Sequence, residues 1–194
     1  MSENFDHLID RVNQGDPAAA HELFPLIYEE LRSLARKKLR GNGKNQIHPT
    51  SLVHEVFVKL GKSNKLWNKT HLFATAAEAM RCILVDRARR NSAKKRGGDY
   101  KQVDLDIAEL SVAEPRQQVI RVSEALEVLE KTSPTHAQVV KLRYFAGLTT
   151  EQIGELTEVS RSTVDRRWRY AKAMLLLQIQ RNQPPPSAAA TAIT

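Results

Sequence analysis

Residues 148–180 constrain the fold of this chain more than any other stretch, because they have the pattern of two helices joined by a tight turn. Thr149 or Thr150 can cap a short first helix and Ser160 a longer second one, since hydroxyl oxygens accept hydrogen bonds from unpaired backbone N–H groups. Glu158 occupies the turn position that glycine commonly fills, which predicts a left-handed backbone there at some energetic cost. At 100° per residue, the second helix has one apolar stripe, formed by Val164, Trp168, Ala171 and Leu175.

The opposite side of this second helix is polar and basic. It carries Ser162, Asp165, Arg166 and Arg169, with Tyr170 at its edge. A helix of this kind can enter the major groove of DNA, because its apolar side packs on a supporting helix while its other side meets base edges and phosphates. Helix pairs that only pack against each other show the same pattern, so these residues alone favour DNA binding and a plain helical bundle about equally.

Composition narrows the choice of partner and of compartment. The 194 residues include 30 Lys and Arg against 22 Asp and Glu, a net charge of +8, so polyanions are natural partners. Cys82 is the single cysteine, which excludes an internal disulfide and favours a small, partly buried side chain over a reactive thiol. Without a signal peptide pattern or an apolar run of ~20 residues, we expect a cytoplasmic protein with no membrane contact.

Helical periodicity recurs along the chain and strand alternation does not, which predicts an all-α fold of two small helical domains. Asp16-Pro17 has the favoured order of cap and first-turn proline, and Pro25 is expected to kink or divide the helix that follows. The predicted organisation is a first domain over residues 1–96, a flexible acidic linker over 97–118, a helix–turn–helix domain over 119–182 and a disordered tail over 183–194.

One long helix, predicted over residues 71–95, combines an apolar face with a basic end. Arg81, Val85 and Arg89 are predicted to point away from its inner face. Residues 87–96 contain six basic side chains and no acid, more than a helix dipole needs, which predicts phosphate contact. The inner face is predicted to consist of Phe73, Ala76, Ala77, Met80, Ile83 and Leu84.

Patterns that would indicate catalysis are missing. The chain has no glycine-rich phosphate loop and no nucleophile beside a general base. His48, His54 and His71 lack the spacing of a zinc site, so surface or capping roles explain them better than metal ligation. We therefore expect no catalytic residue, no metal and no cofactor.

Two runs of residues add a specific family signal. Pro-Thr-Ser-Leu-Val-His-Glu at 49–55 and Ile-Leu-Val-Asp-Arg-Ala-Arg-Arg at 83–90 precede the helix–turn–helix at family-like spacing. Over about residues 5–180 the chain resembles the extracytoplasmic-function (ECF) branch of the sigma-70 family of RNA polymerase sigma factors. The resemblance implies a promoter-specificity subunit without enzymatic activity, which binds core RNA polymerase and directs transcription initiation at promoters.

The same resemblance assigns roles within the first, sigma region 2-like domain. The helix over residues 50–60 is expected to dock on the clamp helices of the polymerase's largest subunit through His54, Glu55 and Lys59. Residues 62–70 resemble the loop that captures a flipped base of the −10 element. Trp67 is the stacking candidate there, worth ~1–3 kcal/mol per base, although packing against Phe73 explains it equally well. The separated strand is then expected to meet Arg81, Arg89, Arg90 and Lys94.

For the second, sigma region 4-like domain, the resemblance implies binding of the −35 element and of the polymerase flap. Asp165, Arg166, Arg169 and Tyr170 fall at base-reading positions, and Asp165 can accept a hydrogen bond from cytosine N4. Arg161, Ser162, Thr163 and Lys172 complete the predicted DNA-binding set, with phosphate contact expected of Arg161, Thr163 and Lys172.

Two other functions remain open from the sequence. The first is a stand-alone helix–turn–helix regulator that binds an operator without polymerase. The second is a nucleic-acid-processing enzyme, which the missing metal and nucleophile patterns disfavour. An anti-sigma factor is a common partner in the family, but no residue of this chain demands one.

Overall fold

The computed structural model describes residues 2–39, 47–60, 68–94 and 115–182. Every regular element in these ranges is helical, which confirms the all-α prediction, and none of their helices is long and apolar enough to cross a membrane. The α-helices are α1 (Ser2–Asn13), α2 (Pro17–Lys38), α3 (Pro49–Leu60), α4 (Lys69–Lys94), α5 (Pro115–Thr132), α6 (Pro134–Val140), α7 (Thr150–Thr157) and α8 (Arg161–Arg181). A π-helical turn (Lys141–Phe145) follows α6 directly.

The helix starts follow the predicted capping chemistry. The Asp16 carboxylate accepts hydrogen bonds from the backbone N–H groups of Ala18 and Ala19, and Pro17 is the first residue of α2. Pro25 lies inside α2 without dividing it: one helix runs from Pro17 to Lys38. Helix α5 begins at Pro115, so the last four residues of the predicted linker are helical. The rest of that linker, residues 97–114, lies outside the described residues.

Helices α1 to α4 and α5 to α8 form two groups that pack on each other through α4. One apolar core runs through both groups, with Leu8, Leu31, Leu52 and Met80 in the first and Leu126 in the second. Helix α4 contacts α5, α7 and the π-helical turn. The Thr70 hydroxyl donates a 2.5 Å hydrogen bond to the Leu156 carbonyl, and the Lys38 ammonium lies 4.1 Å from the centre of the Tyr144 ring.

Packing between the two groups explains why the exposed side of α4 differs from the prediction. Phe73, Ala76, Ala77, Met80 and Ile83 are buried as expected, whereas Leu84 is only partly buried. Val85 and Ala88 are also buried, at 5% and 6% exposure, and they share the side of α4 from which Arg81 contacts Ser123 of α5. The apolar face of α4 is therefore wider than a single inner stripe.

Candidate nucleic-acid interface

The helix–turn–helix is fixed by three local devices. Thr149 and Gln152 form a capping box at the start of α7, each side chain bonding the other residue's backbone N–H. Glu158 has the predicted left-handed backbone, with φ of 55°, and its N–H donates to the Gly154 carbonyl. The Ser160 side chain caps α8 by accepting from the Thr163 N–H. These devices fix the direction in which α8 leaves the turn.

Gly154 lets the two helices of this motif approach closely. A Cβ atom at this position would lie 2.9 Å from the Val159 carbonyl oxygen, closer than carbon and oxygen tolerate. The same glycine's carbonyl accepts the Val159 N–H at 3.0 Å, so the backbone of the turn folds back onto α7. Any side chain here would therefore push the start of α8 away from α7.

Helix α8 has the two faces that its periodicity predicts. Val164, Trp168, Ala171, Leu175 and Ile179 are buried, with Trp168 only 7% exposed. On the other side, Ser162, Arg166 and Arg169 are exposed, and within the described part of the chain no ion pair of either arginine is found. Their guanidinium groups are therefore free to donate hydrogen bonds to a partner outside the chain.

The remaining predicted side chains of α8 have neighbours within the motif. Arg161 lies 3.0 Å from the Glu151 carboxylate and 3.8 Å from that of Asp165. Thr163 shares a 2.9 Å hydroxyl contact with Ser160. Lys172 is half-buried and has an interaction of its own. Acid–base pairing at the start of α8 thus leaves fewer unpaired charges than the sequence suggests.

Tyr170 is 46% exposed, and its ring centre lies 4.4 Å from that of His136 on α6. Burial lowers the pKa of His136, and the positive charge of Arg167 lowers it further. The lowered pKa favours the neutral imidazole, which suits packing against an aromatic ring better than a charged form that needs water. The contact holds the Tyr170 ring at the rim of the exposed face of α8.

Arg143, on the π-helical turn, belongs to this motif although nothing in the sequence singles it out. Its Nη1 donates a 2.7 Å hydrogen bond to the Thr150 hydroxyl and lies 4.0 Å from an Asp165 carboxylate oxygen. Its guanidinium carbon lies 4.8 Å from the centre of the Trp168 ring. Sequence periodicity misses such a residue because the π-helical turn changes the register between α6 and α7.

On α4, Arg89 and Arg90 are exposed at the surface, as predicted for strand contacts. The Arg90 Nε donates a 3.3 Å hydrogen bond to the Asp86 carbonyl within the same helix. Lys94 ends α4, and its side chain is outside the described residues, as is Trp67 with most of the loop predicted over 62–70. Of that loop, Lys69 and Thr70 already belong to α4.

Arg81 is placed differently from the free side chain that the sequence suggests. It donates hydrogen bonds to the Glu78 carboxylate at 2.7 and 3.0 Å and to the Ser123 hydroxyl of α5 at 2.5 Å. Glu127, also on α5, lies 3.4 Å away, and the Arg81 side chain is only 14% exposed. The cause is the packing of α5 on this side of α4, so protein groups hold the donors that a nucleic acid would need.

The α3 residues predicted to dock on the polymerase differ in their surroundings. His54 and Lys59 are exposed. The Glu55 carboxylate forms a 3.2 Å ion pair with Arg87 of α4, both side chains being about 40% exposed. Arg87 thus faces α3, unlike the phosphate contact expected from its place in the basic run. The pair ties α3 to α4 and holds Glu55 at the surface.

No group of His, Cys, Asp and Glu side chains in the described ranges could hold a metal ion. His48, one of the three histidines considered from the sequence, contacts the Thr50 hydroxyl at 2.5 Å at the start of α3. The contact lies at the start of α3, and the sequence favours a surface or capping role for this residue.

Known proteins resemble this chain over most of its length. The sequence profile of the family described as ECF sigma factor matches residues 2–181. Similar proteins include the ECF RNA polymerase sigma factor SigK of Mycobacterium tuberculosis and that of Mycobacterium bovis. Each is 24% identical over 182 residues, which cover 88% of this chain and 91% of the relative. With nearly its whole length matched, the chain belongs to the ECF sigma factor family.

Proposed function

We propose that this chain, a sigma subunit that directs transcription initiation, reads the −35 duplex with α8 and the melted −10 strand with α4 and the loop before it. The observation that carries the −35 assignment is the pair of exposed arginines, Arg166 and Arg169, flanking the buried Trp168 on a capped helix. Buried Trp168 fixes the rotation of the helix, and this rotation presents both guanidinium groups to a groove.

The other residues of the motif fit the same proposal. Asp165 is 42% exposed and accepts no hydrogen bond shorter than 3.5 Å from its arginine neighbours, so its oxygens can accept from a cytosine N4 amino group. Ser162, Thr163, Arg161 and Lys172 lie near the helix start or along its flank, where phosphate contacts set register. Tyr170 offers an exposed aromatic edge to the groove.

Melted −10 DNA is the proposed ligand of the first helical group. Arg89 and Arg90 on the exposed side of α4 supply positive charge for phosphates, while Trp67 supplies a stacking surface. Lys94 extends the basic series at the end of the helix. Arg81 joins this set only when α4 separates from α5, because its donors are otherwise occupied.

Core polymerase is proposed to dock on α3 through its clamp helices, with His54, Glu55 and Lys59 as contacts, and on the second helical group through its flap. Core polymerase supplies the chemistry in this arrangement, and the chain supplies only binding, in the cytoplasm. Binding two promoter elements at once also selects their spacing, because both contacts must form together.

A comparison of binding with and without core polymerase tests this function. The chain with core is expected to protect a promoter across both elements, with an affinity that falls steeply with salt concentration. Loss of the −35 sequence should abolish protection, and so should omission of core. Equal, sequence-specific protection by the chain alone would instead identify a stand-alone regulator.

A further inference from the structure

Arg143 sits where three parts of the helix–turn–helix meet. The π-helical turn that carries it is closed by backbone hydrogen bonds from Ala146 to Lys141 and from Leu148 to Leu142, at 3.1 and 3.0 Å. Leu142 is fully buried, and the Arg143 side chain is 22% exposed. The turn is therefore a rigid support, and its arginine leaves it in a fixed direction.

Contacts to α7 and to α8 anchor the Arg143 guanidinium group. One is the 2.7 Å hydrogen bond to the hydroxyl of Thr150, a residue that is itself only 8% exposed at the first position of α7. The other is the approach of the guanidinium to the face of Trp168, the central buried residue of α8. Arg143 thus links the supporting helix to the recognition helix from the inside.

Asp165 lies between this anchored arginine and an exposed one, Arg161. Its carboxylate oxygens are 4.0 Å from Arg143 and 3.8 Å from Arg161, too long for direct hydrogen bonds. Arg161 is 70% exposed, and its ion pair with Glu151 is also at the surface, so a phosphate can reach it. Arg143 is not available in this way, because Thr150 and Trp168 hold it.

We infer that Arg143 is a positioning residue for −35 recognition. It orients the Asp165 carboxylate from behind and thereby determines the base from which Asp165 accepts a hydrogen bond. The inference rests on the proposed −35 role of α8. Its physical basis is that an attraction over about 4 Å from a fixed, partly buried charge restrains a carboxylate without using up its lone pairs. Removal of Arg143 should therefore change base preference, and not only overall affinity.

The test uses the full chain in complex with core polymerase and a promoter library that carries all four bases at each −35 position. Initiation is measured for the wild type, Arg143→Ala, Arg143→Lys, Asp165→Asn and the double variant Arg143→Ala with Asp165→Asn. Arg181→Ala, at the far end of α8, is the matched control for loss of one positive charge. Circular dichroism melting identifies any variant that does not fold.

Asp165→Asn is expected to lower discrimination about tenfold at one or two base pairs, in line with the loss of one base contact. Arg143→Ala should lower discrimination at the same base pairs, with no further loss in the double variant. Arg143→Lys keeps the charge but not the planar group, so it should retain part of the discrimination at these base pairs. If Arg143→Ala only unfolds the domain, Arg143→Lys carries the test at these base pairs.

The positioning role would be overturned if the folded Arg143 variants lost discrimination equally at all −35 positions. It would also be overturned if the losses of Arg143→Ala and Asp165→Asn multiplied in the double variant. Either result would leave the −35 assignment intact. An unchanged base profile for Asp165→Asn would also overturn the positioning role, because Asp165 would then read no base. Failure of the −35 assignment itself would appear as a wild-type chain that shows no preference among the bases at the −35 positions. The two failures are therefore distinguishable.

Discussion

Arg166 is the side chain whose surroundings most directly suit base recognition. It is exposed on the turn of α8 that carries Thr163 and Asp165, and Trp168 is buried two positions further along the helix. A long side chain without an ion pair in the described part of the chain has no intramolecular bond to break before it meets a base. Arg169, three residues later, lies on the same exposed face.

Arg166→Ala is expected to weaken binding to the preferred −35 sequence by ~1–3 kcal/mol, because a bidentate arginine contact to one base is lost. Binding to a scrambled −35 sequence and affinity for core polymerase should change little. Fluorescence anisotropy measures binding of the chain–core complex to labelled duplexes with the preferred and the scrambled −35 sequence, and binding of the chain to core, with Arg181→Ala as the control. A parallel drop in core affinity would show that this face of α8 has another role.

At the scale of single residues, the sequence predicts which way a side chain points better than it predicts which groups the side chain contacts. The outward positions of Arg166 and Arg169 follow from the spacing of Val164 and Trp168 in a regular helix. Sequence does not show that Arg81 meets Ser123, because these residues are far apart in the chain and only tertiary packing brings them together. Arg143 escapes prediction for a different reason, because the π-helical turn changes the register between α6 and α7.

At the scale of elements, capping chemistry makes the helix–turn–helix predictable. The capping box at Thr149, the left-handed Glu158 and the Ser160 cap all lie where the residue types place them. The π-helical turn between α6 and α7 has no comparable signal, because its residues fit an ordinary helix equally well. Pro25, which is expected from the sequence to kink or divide the helix, lies inside α2 without dividing it.

Gly154→Ala tests the close approach of α7 to the turn. The new methyl group would lie 2.9 Å from the Val159 carbonyl oxygen, a backbone atom that cannot move without shifting α8. We expect a loss of about 1–3 kcal/mol in the free energy of unfolding, measured by urea denaturation, and weaker binding to the −35 duplex. The neighbouring, exposed Glu155→Ala serves as the control, since its side chain meets no such obstacle. Unchanged stability for Gly154→Ala would show that the turn has room for a side chain.

At the scale of the whole molecule, α4 packs against both groups of helices. Its charged side chains Glu78 and Arg81 form a network with Lys141 and Glu130, in which acid and base alternate. Burial raises the pKa of Glu78, but hydrogen bonds from Arg81 and Lys141 outweigh this effect and lower the pKa to about 2. The network stabilises the contact between the two helical groups in its ionised form.

This network predicts an acid-sensitive contribution to stability. Because the pKa of Glu78 falls from an ordinary 4.5 to about 2 on folding, its contribution is complete above pH 4.5 and is lost as the pH falls towards 2. Glu78→Gln should therefore lower the free energy of unfolding at pH 7, and its difference from the wild type should shrink over that pH range. Urea denaturation across pH measures this, with Glu155→Gln as an exposed control. A difference that does not depend on pH would show that Glu78 acts only through packing.

The same contact bears on promoter binding. Arg81 cannot meet a DNA strand while Ser123 and Glu78 hold its donors, whereas the exposed face of α8 is open in the same structure. Under the proposed function, this arrangement is compatible with −35 recognition by α8, whereas full engagement of the −10 strand by α4 would require α4 and α5 to part. Sequence alone does not reveal this difference between the two surfaces, because it depends on how the helical groups pack.

The central claim, that the chain directs initiation by reading two promoter elements, is tested most directly by run-off transcription. Purified chain is combined with purified core polymerase on a matched promoter and on versions with the −35 or the −10 element replaced. The account predicts discrete transcripts from the intact promoter that require the chain and disappear when either element is replaced. Specific binding of the chain to such DNA, with no transcript above that of core polymerase alone, would contradict it.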